Sequence, residues 1–361
     1  MKKILCLIDG FTLGGAERQL IGLAILLKQE GYDVTLVAYH QENFYEGLLQ
    51  ENSLRYEILK TDDSQWSKVK VVRKYIKQQK GFDWVIAYKN GPCIIACILK
   101  LLGLKARVIV SERNTTQVLS KRERIKYVLY HFADYIVPNS YSQSKFISDR
   151  VPSLKRKIVT ITNFTDTAHF FSVVKEQNQI LKVITAGRVA KQKNILKYLE
   201  AISFVLKNGI KDIQFEWYGD IQPGEESYGE EVRSTVREKG LEDLISFYPA
   251  SKEIVNKYQA CDVFCLPSIY EGFPNVICEA MSCGKPIICS NICDNPLIVE
   301  NGKNGFLFNP NDVEDISKCI TKAYKMSLEK RNEMGAASRK IAEEKFSEAA
   351  FIAKYIKLIE S

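Results

Sequence analysis

The stretch Ser268-Ile-Tyr-Glu271-Gly272-Phe273-Pro-Asn275-Val-Ile-Cys-Glu279-Ala-Met281-Ser-Cys-Gly284-Lys-Pro286 reads as a loop running into a helix, and its flanks decide the fold. Before it lies the short apolar run Val263–Leu266, of strand type, and after it a second such run over residues 286–290. Strand, loop, helix, strand is the unit from which parallel sheets are built. Within the loop Gly272, Pro274 and Asn275 supply turn chemistry, and Asn275 is expected to cap the helix. Backbone N–H groups left free at that helix start would face outward with the positive end of the dipole, where hydroxyl or phosphate oxygens accept hydrogen bonds. Glu271 and Glu279 stand around this loop, a setting suited to gripping a polyol phosphate. Their spacing alone says nothing, because Glu230 and Glu238 repeat it. Taken alone, Glu279 also admits the plainer reading of a solvated helix residue.

The same alternation extends in both directions. Apolar runs at residues 4–8, 34–38, 84–87, 107–110 and 135–138 alternate with helical patterns, the first over residues 16–30 and closed by Gly31. A second series comprises Leu181–Ala186, Ile213–Tyr218, Ile245–Tyr248, Val263–Leu266, residues 286–290 and Gly305–Phe308. A polar interruption over residues 163–176 marks the join. The expectation is an α/β chain of two doubly wound units in tandem, with the carboxyl ends of both sheets facing a cleft. At 361 residues the chain is too long for one ordinary core, and two domains of about 170 residues follow. A last helix over residues 346–360 carries Phe351, Ile352, Tyr355, Ile356 and Ile359 on one stripe, and this stripe needs a partner surface.

The formal net charge of +8 divides unevenly: +10 over residues 1–170 and −2 over the remainder. The basic half suits anionic lipid, nucleic acid or an anionic substrate, or is simply a soluble basic surface. No run reaches the 18 or so apolar residues that cross a bilayer, so membrane contact would be peripheral. The N-terminal apolar run stops at Asp9 and reads as a buried strand rather than a signal. Ten cysteines without such a signal imply a reducing compartment. Six lie between Cys261 and Cys293, but no C-x-x-C pair marks a zinc site, and Cys261, Cys265, Cys278 and Cys289 sit in apolar runs where small buried residues are wanted.

Two loops carry phosphate chemistry. Gly14-Gly15 follows the first strand and opens the first helix, where backbone can approach a pyrophosphate, although a plain tight turn fits equally. In the second half Gly187-Arg188 follows a strand and Lys193 follows closely. Arg188 can chelate phosphate oxygens with its planar fork and Lys193 adds a point charge, unless this is only a solvated basic loop. Gly219, in Tyr218-Gly219-Asp220, ends another strand of that half, and Asp220 there either faces a ligand or caps a helix.

These motifs, with Asn301-Gly302-Lys-Asn-Gly305, resemble the retaining, nucleotide-sugar-dependent glycosyltransferases of family 4, with the GT-B fold. The likeness covers nearly the whole chain and is strongest over residues 181–310. It implies an acceptor-side domain over residues 1–166, a donor domain over 167–345 and a helix over 346–361 that packs back on the first domain. It also implies roles. The Gly15 amide, with Gly14 beside it, would meet the diphosphate; Arg188 and Lys193, with Gly187, would hold the leaving phosphates; Glu279 would bond the ribose. Glu271 would lie by the transferred sugar, with the amides of Gly272, Phe273 and Asn275 near its hydroxyls. Many members carry a His after the fourth or fifth strand. Here the matching place reads Val110-Ser111-Glu112-Arg113-Asn114, which resembles a subset that builds bacterial surface glycans, often from N-acetylhexosamine donors. Glu112 and Arg113 are therefore sugar- or acceptor-side candidates.

The implied reaction is transfer of a hexosyl or N-acetylhexosaminyl group, with retention, from a nucleotide-sugar of uridine type to a lipid-linked sugar acceptor. The leaving phosphate would assist deprotonation of the acceptor. No cofactor or metal is expected, since fixed cations meet the leaving charge and no Asp-x-Asp motif is present. The expected place is the cytoplasmic face of a membrane, with Arg107, Arg113, Lys121, Arg122, Arg124 and Lys126, beside Tyr127, Leu129, Tyr130 and Phe132, meeting anionic lipid. Other classes remain open: a UDP-sugar epimerase of related fold, a noncatalytic binding module, and a nucleic-acid-binding protein, which would leave Arg188, Lys193 and the Glu271 segment without a use.

Overall fold

Two six-stranded, all-parallel sheets carry the chain in the computed structural model, which describes residues 1–62, 64–113, 115–173 and 180–361. The first comprises β1 (Lys3–Leu7), β2 (Asp33–Ala38), β3 (Arg55–Ile58), β4 (Trp84–Tyr88), β5 (Arg107–Ser111) and β6 (Tyr135–Ile136). The second comprises β7 (Leu181–Ala186), β8 (Ile213–Tyr218), β9 (Ile245–Tyr248), β10 (Val263–Leu266), β11 (Ile287–Ser290) and β12 (Gly305–Phe308). Their orders are β3-β2-β1-β4-β5-β6 and β12-β11-β10-β7-β8-β9. In each, the first strand of the series lies between its second and its fourth. The chain therefore winds outward in both directions from one point, between β1 and β4 and between β7 and β10. At such a point the crossover loops part and leave a crevice beyond the carboxyl ends of the strands.

The central strands form because their residues are apolar on both faces, as strands covered by helices on both sides must be. β4 is buried at all five positions and β10 at all four. One apolar cluster packs the helix Asn90–Leu101 against β1, β4 and β5. Two clusters cover the two faces of the second sheet. Cys293 is exposed, and the other five cysteines of the 261–293 region divide between those two faces, Cys265 on one and Cys261, Cys278, Cys283 and Cys289 on the other. They fill core space as small apolar residues.

The chain forms two compact units, one of Met1–Asn163 with Phe351–Ser361 and the other of Phe164–Ala350. It passes from one to the other at 163/164, three residues before the expected boundary, and returns at 350/351. Part of the expected join, residues 174–176, and Asn114 lie outside the described residues. The last helix is Glu348–Glu360, with the Ser347 hydroxyl accepting from the Ala350 amide at its start. Phe346 ends the preceding helix, Leu328–Phe346, and its ring stacks edge-on to Phe273 at 5.4 Å within the second unit. Within the first unit the last helix buries Phe351, Ile352, Tyr355, Leu358 and Ile359, each contributing about 1.5–3 kcal/mol at most. Ile356, expected on that stripe, is only half-buried and Leu358 takes its place.

Candidate active site

The crevice point of the second sheet gathers the two loops singled out in the sequence. Gly187 leaves β7 with its amide donating to Tyr218 O (2.9 Å) and its carbonyl accepting from the Trp217 indole (2.8 Å). A Cβ on Gly219 would lie 2.1 Å from that carbonyl oxygen, so the ends of β7 and β8 approach as only a glycine there allows. A Cβ on Gly187 would meet Lys193 Cε at 3.0 Å, because the lysine stem lies across the bare glycine. The chain then makes a short 3-10 turn, Lys191–Lys193, and Asn194 in left-handed conformation (φ 59°) anchors it through Nδ2 to Pro310 O at 2.8 Å.

Beyond β10, the second loop is stitched to the first. The Ile269 amide donates to Gln192 O (2.9 Å) and the Gln192 side chain to Tyr270 O (2.7 Å). Lys193 Nζ stands 2.6 Å from Glu271 Oε1, and the buried Ser268 hydroxyl donates to the same oxygen at 2.6 Å. Both donors thus hold one oxygen of Glu271, and among the described residues Oε2 has no partner. Arg188 is exposed and its guanidinium has no side-chain partner among the described residues. The loop therefore presents one cation tied to a carboxylate and one unengaged.

The helix Asn275–Ser282 starts one residue earlier than expected. Pro274, not Asn275, holds the cap position, and no side chain caps the helix. The Asn275 amide donates to Phe273 O (3.0 Å) and the Ile277 amide to Pro274 O (3.0 Å), so both are used internally. Proline supplies no N–H and fixes φ, which suits the entry to a helix and removes the need for a polar cap. The Gly272 and Phe273 amides make no hydrogen bond to another described residue, while the Phe273 ring is held in the core. Glu279 is 5 % exposed on the inward side of the helix and accepts from the buried Tyr258 hydroxyl at 3.2 Å. Asp220 Oδ1 accepts from the Ala250 amide at 3.3 Å, bracing the loops beyond β8 and β9.

The crevice point of the first sheet holds residues to which the sequence alone drew no attention. Lys89, which follows β4, has φ 72° and ψ 163°, a backbone region that costs a non-glycine residue about 1–3 kcal/mol. Its ammonium bridges Asp9 Oδ1 (2.9 Å) and Glu17 Oε1 (2.8 Å). Burial pulls the ammonium pKa down, but the bonds from Glu17 and Asp9 outweigh it and raise it above the ordinary value. Thr12 Oγ1 also donates to Glu17 Oε1 (3.0 Å), and a Cβ on Gly14 would lie 2.3 Å from Glu17 Oε2. Gly14 therefore makes room for a carboxylate of its own chain. The one local signal was an acidic residue two positions after the glycine pair. Its partner Lys89 is 72 residues away.

Glu112 and Arg113 face the interior of the first unit. Glu112 is 2 % exposed and accepts from Tyr130 OH (2.5 Å) and from Lys126, which also pairs with Glu123. Burial pulls the Lys126 ammonium down, yet the charge of Glu112 and the bond from Glu123 carry its pKa well above the ordinary value. Arg113 lies over the Tyr88 ring at 3.7 Å and donates to Asn163 Oδ1 (2.5 Å) and Tyr355 OH (3.2 Å). Arg107 likewise stacks on Trp84 at 4.5 Å. Of the basic and aromatic set expected at a membrane, Lys126, Tyr127 and Tyr130 are buried. The exposed side chains are instead Lys121, Arg122 and Arg124 with Val118, Ile125, Val128 and Phe132. Among the described residues no helix is long and apolar enough to cross a membrane.

Comparison with known proteins gives this arrangement a family. Residues 13–169 match the model for Glycosyltransferase Family 4 and residues 166–341 that for Glycosyl transferases group 1. The chain is 29% identical over 290 residues to the Campylobacter jejuni GalNAc-alpha-(1->4)-GalNAc-alpha-(1->3)-diNAcBac-PP-undecaprenol alpha-1,4-N-acetyl-D-galactosaminyltransferase, covering 78% of this chain and 77% of that one. It is 25% identical over 336 residues to the Escherichia coli UDP-Gal:alpha-D-GlcNAc-diphosphoundecaprenol alpha-1,3-galactosyltransferase, covering 86% and 84%. Among solved structures, Anabaena HepE in complex with UDP and glucose superposes with a TM-score of 0.85 at 19% identity over the full length of both chains, a likeness of fold. The two matched domains in this order, on two sheets of identical winding, make the chain a GT-B-fold member of the family 4, group 1 glycosyltransferases.

Proposed function

We propose that this chain transfers a hexosyl or N-acetylhexosaminyl group from a UDP-sugar to a saccharide carried on a polyprenyl diphosphate, with retention, in the synthesis of a bacterial surface glycan. The observation that carries the reading is the joined pair of loops beyond β7 and β10. There Lys193 and Arg188 offer two positive charges beside Glu271, with the open Gly272 and Phe273 amides close by in sequence. Cleavage of the anomeric C–O bond leaves negative charge on the departing diphosphate, and cations fixed in advance stabilise that charge without reorganising. Arg188 chelates the phosphate oxygens, and Lys193 exchanges part of its bond to Glu271 for one to phosphate. Glu279 takes the ribose hydroxyls beside Tyr258, while Glu271 Oε2 and the Gly272 and Phe273 amides hold the transferred sugar. The acceptor proton passes to the leaving phosphate, so the reaction calls for neither a protein nucleophile nor a metal.

The acceptor class is supported by relatives whose substrates are undecaprenyl-linked. The exposed stripe of Val118, Ile125, Val128 and Phe132 among Lys121, Arg122 and Arg124 suits an anionic membrane at the cytoplasmic face, with apolar side chains entering the interface and cations meeting headgroups. A screen of nucleotide-sugars for protection against thermal unfolding tests the donor, since a ligand of the folded state raises its stability. A UDP-sugar should protect and then be consumed only with a lipid-linked acceptor. Consumption with epimerisation and no acceptor would refute transfer. Pelleting with anionic but not neutral liposomes, abolished by Ile125→Asp with Val128→Asp, tests the membrane contact.

A further inference from the structure

The helices Gln65–Gln78 and Asn90–Leu101 pack side by side on the first sheet and end together, near the amino ends of β4 and β5 and at the opposite end of that sheet from its crevice point. Between their last turns lies a cavity of about 360 Å³, inside the roughly 300–1,000 Å³ range of small-molecule pockets. Its wall is apolar: Ile76, Leu99 and Ala106 are buried there and Phe82 is half-buried. The exposed part of its lining is basic, with Arg73, Lys77, Lys80 and Lys105 and no Asp or Glu. Among the described residues none of these four cations has a carboxylate partner, and Arg73 spends one N–H on Leu102 O (3.2 Å).

Two helix ends turn their carbonyls toward this place, which would disfavour an anion if those carbonyls were open. They are taken. Ile76 O and Lys77 O accept from the Gly81 and Lys80 amides, Leu99 O and Lys100 O from the Leu104 and Gly103 amides, and Gln79 O from Lys3 Nζ at 3.0 Å. Left-handed turns at Lys80 (φ 60°) and Gly103 (φ 89°) bring those amides back onto the helices. The four cations therefore set the charge that an approaching molecule meets. An apolar wall under unpaired cations fits a hydrocarbon chain with an anionic head, and the surroundings favour a membrane phospholipid as its source. Leu102 on the rim is 41% exposed and its neighbour Leu101 54%. The helix Asn90–Leu101 also packs against Lys121–Leu129, so the cavity belongs to the same helical layer as the exposed Ile125 and Val128.

We propose that this cavity takes one acyl chain of an anionic phospholipid, with the chain against Ile76, Phe82, Leu99 and Ala106 and the phosphate on Arg73, Lys77 and Lys105. A lipid seated here anchors the first unit through a single defined chain, in addition to any contact that its exposed stripe makes with headgroups. The site goes beyond the transfer reading and does not depend on it, since none of its residues belongs to either crevice.

The test is calorimetric titration of the full chain, below the critical micelle concentration, with lauroyl lysophosphatidylglycerol, lauroyl lysophosphatidylcholine and glycerol phosphate. The anionic lysolipid should bind about tenfold or more tightly than the other two, a difference of roughly 1.4 kcal/mol. Lys77→Glu with Lys105→Glu should weaken it about tenfold, as should Leu102→Asp, which sets a like charge at the apolar rim. All three positions are exposed, so the variants fold. They leave Ile125 and Val128 intact, so a loss of binding in them is a loss at the cavity. Absence of binding, equal binding of the two lysolipids, binding of glycerol phosphate as tight as that of the anionic lysolipid, or an unchanged affinity in either variant overturns the site.

Discussion

The two sheets wind identically, yet their crevice points carry opposite charge. Beyond β7 and β10, Arg188 and Lys193 stand against one carboxylate, Glu271; beyond β1 and β4, Lys89 stands against two, Asp9 and Glu17. The backbone supplies the same device twice, a gap between loops with amides near a helix start. Side chains then decide what each gap receives. In one, a bare glycine lets a lysine stem lie flat on its way to Glu271; in the other, a bare glycine admits a carboxylate. Glycine at a strand end is thus no evidence for phosphate binding until the side chain laid over it is known.

The contrast can be broken most forcibly at Lys193. Lys193→Ala should lower kcat/KM by about 10²–10³-fold, roughly 2.7–4 kcal/mol, by removing a fixed charge from the developing diphosphate. Steady-state kinetics with saturating acceptor would show it, and an unchanged rate would remove the phosphate role. Gly219→Ala tests the close approach that shapes the same gap. A Cβ placed 2.1 Å from a backbone oxygen forces the strand ends apart, and a loss of about 3 kcal/mol, the upper end for overpacking, is expected. In a unit of this size that is roughly 6–12 °C in Tm by calorimetry.

A smaller effect is expected from Lys89→Met, which among the described residues leaves the buried Glu17 carboxylate with the Thr12 hydroxyl and should cost about 1–2 kcal/mol in denaturant titrations. Its pH dependence has a fixed sign. The Lys89 pKa is raised in the folded state, so the stabilisation is complete below the unfolded lysine value and fades as pH rises through the higher folded one. The gap between Lys89→Met and the unaltered chain should therefore be constant at neutral pH and narrow only in the alkaline range. A gap that widens there would contradict the ion-pair assignment.

Most strands were legible because central parallel strands are apolar throughout; Leu181–Ala186 and Val263–Leu266 match their apolar runs residue for residue. β3 was not, since this edge strand alternates exposed and half-buried residues and carries Arg55 and Glu57. The loop pair around Arg188 and Glu271 was legible as two motifs, but its joining was not. Gln192 and Ile269 meet through a tertiary contact that no local pattern encodes. The basic helix Lys121–Leu129 misled for a related reason. Composition gives the charge and not the side on which it lies, and Lys126 turns inward because Glu112 and Glu123 receive it. Glu123 three residues before Lys126 was the available hint. Arg113 finds Asn163 and Tyr355, 50 and 242 residues away, which no window along the chain reveals.

That last contact bears on how the protein is made. Tyr355 meets both Arg113 and the Tyr88 hydroxyl (2.8 Å), and Lys2 at the other end of the chain bonds Glu360. The groove that receives the helix Glu348–Glu360 is synthesised before the second unit and filled after it. Between residue 163 and residue 351 the ribosome adds the whole of the second unit, an interval of about 10–40 s at roughly 5–20 residues per second. The second unit can complete itself while the first still waits for its closing piece, with an apolar trough open to whatever chaperone or nascent chain passes. Emergence of residues 351–361, rather than of its own first 163 residues, is the event that finishes the first unit.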